Sequence, residues 1–382
     1  MLKKGLLYLL FVLVLAIPLN VVSAESSSND ISNKVDFGYI DPKLPQKDQK
    51  ILREVMQNLD KEDRENVFYI DENTGYFTAN RTEKLNEYKA KYKDIIGSDG
   101  NLKHDVNYKE NAQSVSALEC EKIGLDATFS VASFANPTTP CNSADSGPFR
   151  KVVSTTGKSR ITADLYLPAK GTEMVMSPKS ITVDGKQTTT GDTAYIYVGA
   201  LNTVGSVVHQ VDAGLQFNYG DGVDPMYATE ETWAMTSLDM GSVISGSPAN
   251  FKMGTNAFMK FYIPANNQAA LSVSGTAKDG SALTATMVWN VSATKGFTTS
   301  GSLMQVKRIT SIAQLYKHED LTTGSYMNNV QWNNVKVGTV SGSEQLMNAS
   351  TTSSGCGYKT SNILVEWTSW AQEVIRVKTG TL

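Results

Sequence analysis

The chain has 382 residues, with 35 Lys and Arg against 38 Asp and Glu, for a formal net charge of -3. That balance offers no electrostatic footprint for nucleic acid or an anionic membrane, so neither is expected as a partner. The length is enough for one large β domain plus a smaller unit.

Lys3 and Lys4 precede an apolar run from Gly5 to Ile17, Pro18 interrupts it, and Val22-Ser23-Ala24 supplies a small-residue cleavage signal. This pattern predicts a secretory signal peptide over 1–24. The run is too short to remain as a bilayer span, and position 25 is Glu rather than a lipid-accepting Cys. The mature chain is therefore expected to be secreted, with no transmembrane anchor. Its oligomeric state is not encoded in any pattern we recognise.

From Asp41 to Glu110, 28 of 70 residues are Asp, Glu, Lys or Arg, against 19% over the whole chain. The shift in composition predicts a charged N-terminal α+β module over 25–115, small for an independent core and so expected to lean on the larger domain, to act as a removable propeptide, or to do both. Ile51, Leu52, Val55, Met56 and Leu59 recur at helical spacing, and so do Leu85, Tyr88, Tyr92, Ile95 and Ile96. Between them, Val67–Ile70 and Tyr76–Thr78 flank Asp71-Glu72-Asn73-Thr74-Gly75 and predict a short hairpin.

Residues 116–382 read as a β-sandwich domain. Three cysteines allow one intramolecular disulfide, and Cys120 with Cys141 is the expected pair because it closes a short Pro-containing loop; three buried thiols are the alternative. Val211, Ala213, Leu215 and Phe217 alternate with Asp212, Gly214, Gln216 and Asn218, placing an apolar face on a core and a polar face on solvent or ligand. Ile161 to Leu167, Leu283 to Val291 and Ile363 to Trp367 alternate likewise, whereas Ala194 to Ala200 and Phe258 to Ile263 are apolar on both faces and read as central strands. The expected fold is mainly β: an antiparallel two-sheet sandwich, jelly-roll-like, of ten or more strands.

The stretches Val211-Asp212-Ala213-Gly214-Leu215-Gln216, Ile309-Thr310-Ser311-Ile312-Ala313-Gln314 and Asn328-Asn329-Val330-Gln331-Trp332-Asn333-Asn334-Val335 resemble segments of secreted YrpD-type proteins of Bacillus-like bacteria. The resemblance covers the β domain and implies export and a β fold; that family has no assigned activity. The predicted architecture is also similar to the concanavalin-like jelly roll of lectins and glucanases, a likeness of shape alone.

For function, Tyr219 to Pro225 carries Asp221 and Asp224, whose oxygens suit a structural calcium ion or a plain turn. No other cofactor is expected. Adjacent carboxylates such as Glu230-Glu231 point to opposite faces of a strand, and no strand carries the paired carboxylates of a glycosidase. His209 opens the strand bearing Asp212, which suggests a groove shared by the two or else a plain strand-edge histidine, and no nucleophile motif surrounds it. Trp332, with Asn334 beside it and Tyr326 nearby, offers the aromatic face and amides that bind sugars, or else packs in the core. The leading expectation is a non-enzymatic protein that binds polysaccharide or cell-wall glycan through Trp332, Asn334 and Tyr326. The alternatives are a glycan-active hydrolase on the same scaffold and, from the alternation of Leu283 to Ala293, a β-pore-forming protein.

Overall fold

The computed structural model describes residues 37–71, 73–91, 134–135, 140–141, 147–183, 186–218, 231–237, 249–313 and 323–380. In chain order these form α1 (Gln46–Asn58), β1 (Val67–Asp71), β2 (Phe77–Ala79), α2 (Thr82–Lys91), β3 (Phe134–Ala135), β4 (Phe149–Ser154), β5 (Arg160–Leu167) and β6 (Met174–Val175). Next come β7 (Pro178–Val183), β8 (Lys186–Gly191), β9 (Thr193–Val204), β10 (Val207–Asn218), β11 (Trp233–Ser237), β12 (Asn250–Phe251), β13 (Thr255–Tyr262) and β14 (Gln268–Thr276). The remaining strands are β15 (Ala282–Asn290), β16 (Met304–Ala313), β17 (Tyr326–Gly338), β18 (Gln345–Leu346), β19 (Thr352–Tyr358), β20 (Ile363–Ser369) and β21 (Gln372–Lys378).

Two sheets account for nearly all of these strands. The larger has the order β2-β1-β15-β14-β13-β5-β17-β21-β20-β3, with β6 and β18 also paired to β17. The smaller runs β12-β11-β10-β9-β16-β4-β19. Every pairing between them is antiparallel except β1 with β15. The expected antiparallel sandwich is thus present. Its core contains Ile196, Val198, Val211, Ala213 and Leu215 from the smaller sheet and Ile161, Leu165, Met259, Phe261, Leu271 and Trp289 from the larger.

The strand alternation read from β10 places Val211, Ala213, Leu215 and Phe217 in that core. Its polar partners do not reach solvent: Asp212 and Gln216 on the opposite face are themselves buried. β9 is a central strand, as its two-sided apolar sequence predicts, paired along its length with β10 and β16. At its middle, Gly199 stands opposite Asp212 on one side and Lys307 on the other. A Cβ at Gly199 would collide with the Val211 carbonyl oxygen and the Asp212 carboxylate, so only glycine lets those two side chains close over the strand.

The charged N-terminal segment folds as a helix, hairpin and helix, with Leu52, Val55 and Met56 buried along one side of α1 and Leu59 buried just after it. Its described residues pack with the β-sandwich, and the boundary near residue 115 lies outside the described residues. Phe37–Leu382 form one compact unit, and β1 extends the larger sheet in parallel register with β15, Val67 opposite Thr286 through Asp71 opposite Asn290. A charge network reinforces that join. Lys260 Nζ lies 2.9 Å from Asp60, 3.1 Å from Glu62 and 2.8 Å from Asp63, Arg160 also pairs with Asp60, and the Tyr262 hydroxyl donates to Asp63 at 2.7 Å. Burial works to lower the Lys260 pKa, but Asp63 and Asp60 outweigh it and hold the ammonium above its ordinary value.

Between the sheets lies a second group of buried charges. Glu373, fully enclosed, receives Arg150 Nη2 at 3.2 Å and Arg308 from the opposing sheet. The cysteines also depart from expectation: Cys141 is bonded to Cys356 with Cα atoms 5.1 Å apart. Cys141 therefore cannot pair with Cys120, which lies outside the described residues. The bridge anchors Cys141 beside β19, where its amide already donates to the Gly357 carbonyl at 2.8 Å.

Candidate binding face

Trp332 does not present its ring to a ligand. It is fully buried, its indole N–H donates to Thr310 Oγ1 of the facing sheet at 2.8 Å, and the Arg308 guanidinium stands 5.3 Å from the ring centre. The expected sugar platform on Trp332 is corrected to a core anchor joining the two sheets. Replacing it with phenylalanine removes that hydrogen bond and part of the volume, so thermal unfolding should show a loss of about 1–3 kcal/mol. An unchanged unfolding midpoint would place the ring outside the core.

Asn334 leaves the face of Trp332 because the strand is bulged. The register of β17 against β5 shifts between Asn333 and Lys336, and Asn334 adopts a left-handed φ of 51°, a conformation that asparagine tolerates better than most residues. Its exposed amide then donates to Asp164 Oδ2 at 2.8 Å. A second shift, against β21 between Met327 and Val330, contains Asn329 at φ 60°. Tyr326 sits beyond this second bulge, half-buried, donating its hydroxyl to the Gly171 carbonyl at 3.2 Å. The three expected site residues are thus separated: Trp332 inside, Asn334 outside, and Tyr326 toward the strand end.

Asn334 joins a different set of residues on the outer face of the larger sheet. Reading across β17, β5, β13, β14 and β15, the register aligns Asn333, Asp164, Phe258, Ser274 and Thr284. A second row aligns Gln331, Tyr166 and Asn256. Asp164, Asn256 and Asn334 are exposed, Tyr166, Gln331 and Asn333 are half-buried, and the Phe258 ring is 39% exposed. An exposed phenylalanine amid amides and a carboxylate departs from the usual burial of that residue type. Phe258 itself lay within a segment read as apolar on both faces, a pattern that could not reveal an uncovered face.

The lower row is fixed from beneath by Glu173. Its carboxylate accepts the Tyr166 hydroxyl at 2.9 Å, the Ala169 amide at 2.8 Å and the Asn329 amide at 2.7 Å, and Gln331 donates to Asn329 Oδ1 at 2.9 Å. Burial raises the Glu173 pKa, but these donors outweigh it and leave the group below its ordinary value. Tyr166 is pushed up, by burial first and then by the adjacent Glu173. The carboxylate is therefore ionised at neutral pH and holds the tyrosine ring and two amides in fixed positions.

The face offers one partly exposed aromatic ring, Phe258, with amides and a carboxylate around it. Among the described residues, nothing pairs a nucleophile with a histidine. His209 lies three positions from Asp212 on β10, so alternation points the two side chains to opposite faces rather than into one groove. Glu231 is an exposed partner of Lys170. Asp221 and Asp224, the expected calcium ligands, lie outside the described residues.

No protein-family model matches the chain, and no curated protein matches it. Among solved structures, SCP-B, a member of the eqolisin family of peptidases, is similar at a TM-score of 0.32 and 8% identity, over 60% of this chain and 97% of that one. Scytalido-glutamic peptidase is similar at 0.30 and 8%, over 61% and 98%. The marine PL-14 alginate lyase from Aplysia kurodai reaches 0.18 and 9%, over 42% and 70%. Superpositions this loose carry no activity to this chain.

Proposed function

We propose that this is a secreted, non-enzymatic carbohydrate-binding protein whose ligand, a polysaccharide or cell-wall glycan, lies across the outer face of the larger sheet. The observation that carries the reading is the row Asn333, Asp164, Phe258, with Asn334 bonded to Asp164 beside it. Sugar rings present a C–H face that packs on an aromatic ring and a rim of hydroxyls that pair with amides and carboxylates. Tyr166, Gln331 and Asn256 extend that surface along a second row. The leader pattern over 1–24 supports export, and the YrpD-type resemblance agrees with it.

Co-sedimentation of the full mature chain with purified cell walls and insoluble polysaccharides tests this reading. Saturable binding is expected, with Phe258→Ala weakening it about tenfold, equivalent to about 1.4 kcal/mol. Because Phe258 is 39% exposed and lies on the outer face rather than in the core, that variant should remain folded, losing about 1 kcal/mol at most. Binding that is indifferent to Phe258→Ala and Asn334→Ala together would remove the site from this face.

A further inference from the structure

The outer face of the smaller sheet carries a buried pair that the binding reading does not use. Lys307 Nζ lies 2.8 Å from Asp212 Oδ1 and 2.9 Å from Oδ2, and both side chains are at most 5% exposed. A third donor direction is taken by Gln210 Oε1 at 2.9 Å. The two residues belong to β16 and β10, which are not adjacent; β9 runs between them, and Gly199 removes the side chain that would separate them.

We infer that Lys307 and Asp212 become joined by an intramolecular isopeptide bond. Contact with both carboxylate oxygens, at 2.8 and 2.9 Å, puts the nitrogen within about 3–3.5 Å of the Asp212 carboxyl carbon, the separation from which attack starts. Bond formation requires one proton to pass from the ammonium to the carboxylate, which leaves an amine and an acid within contact distance. The amine lone pair then attacks the carboxyl carbon. A C–N bond forms, the C–OH bond breaks, and the hydroxyl leaves with a proton from nitrogen as one water. Ammonium and carboxylate are thereby converted to an amide and water, with no oxidant, reductant or co-reactant. The product would tie β10 to β16 across β9.

Among the described residues, a second buried lysine provides an internal contrast. Lys260 faces Asp60, Glu62 and Asp63 together. Three carboxylates around one ammonium keep it protonated, and a protonated nitrogen has no lone pair for attack. Lys307 has one carboxylate partner among the described residues.

Intact mass of the exported chain, with its disulfide reduced, tests the assignment. The wild-type protein should be lighter than its sequence by one water, and a digest should contain the Lys307 and Asp212 peptides as one linked species. Asp212→Ala and Lys307→Ala should each show their full sequence mass. A wild-type chain of full mass would overturn the inference and leave an ordinary ion pair. A missing water that maps to Lys260 and Asp63 instead would overturn it equally.

Discussion

Replacing Glu373 with alanine is expected to cost about 3–5 kcal/mol in unfolding free energy, because it strands two arginines in the core. Arg308 is enclosed and Arg150 nearly so, and both depend on this one carboxylate. Arg308 has further contacts with the Trp370 carbonyl, at 3.2 Å, and the Trp332 ring, but neither neutralises its charge. Burial works to lower the Arg308 pKa, offset in part by Glu373. Burial likewise works to raise Glu373, and the two guanidiniums outweigh it, so the carboxyl titrates below its ordinary value of 4.5. A depressed carboxyl pKa contributes stability above the unfolded-state value, and that contribution is lost as pH falls through the folded one. Acid titration of the wild type should accordingly show stability declining below pH 4.5, and the Glu373→Ala variant should lack this component. Glu366→Ala, half-buried on the outer face of β20, should stay within about 0.5 kcal/mol of wild type. Equal denaturation midpoints for the Glu373 and Glu366 variants would refute the account.

Loss of the disulfide should have an effect of the same size. The bridge closes a loop spanning 215 positions, for which the chain-entropy estimate is about 5 kcal/mol. Cys356→Ser should therefore lower the urea midpoint strongly, with reductant added to the wild type giving the same shift, while Cys120→Ser should leave the reductant-sensitive component in place. If Cys120→Ser proved as damaging as Cys356→Ser, the pairing would be different in solution.

What the sequence disclosed and what it hid divide along the distance between interacting residues. The core stripe of β10, the buried side of α1 and the β1–β2 hairpin are local patterns, and each is legible because adjacent residues alone decide it. The partner of Cys141 is remote, and loop closure by neighbours gave no guide to it. The union of the charged segment with the larger sheet depends on β1 meeting β15, again a remote pairing. Trp332 was misplaced for a subtler reason: simple alternation puts it with Asn334, and the left-handed Asn334 at a bulge breaks that rule. Alternation also separates the two faces of a strand without saying which is covered. Asp212 looked solvent-facing and is buried, whereas Phe258 looked enclosed and is open.

The parallel seating of β1 on β15 also governs the order in which this molecule can be assembled. Val67 must wait for Thr286, and Cys141 for Cys356, so both joins require the far portion of the chain to be present. Contacts so distant along the chain slow the approach to the native state. A polypeptide that crosses a membrane N-terminus first would deliver its opening strand long before that strand has a neighbour. For a chain exported as proposed, folding would follow translocation, timed by the arrival of the late strands rather than the early ones.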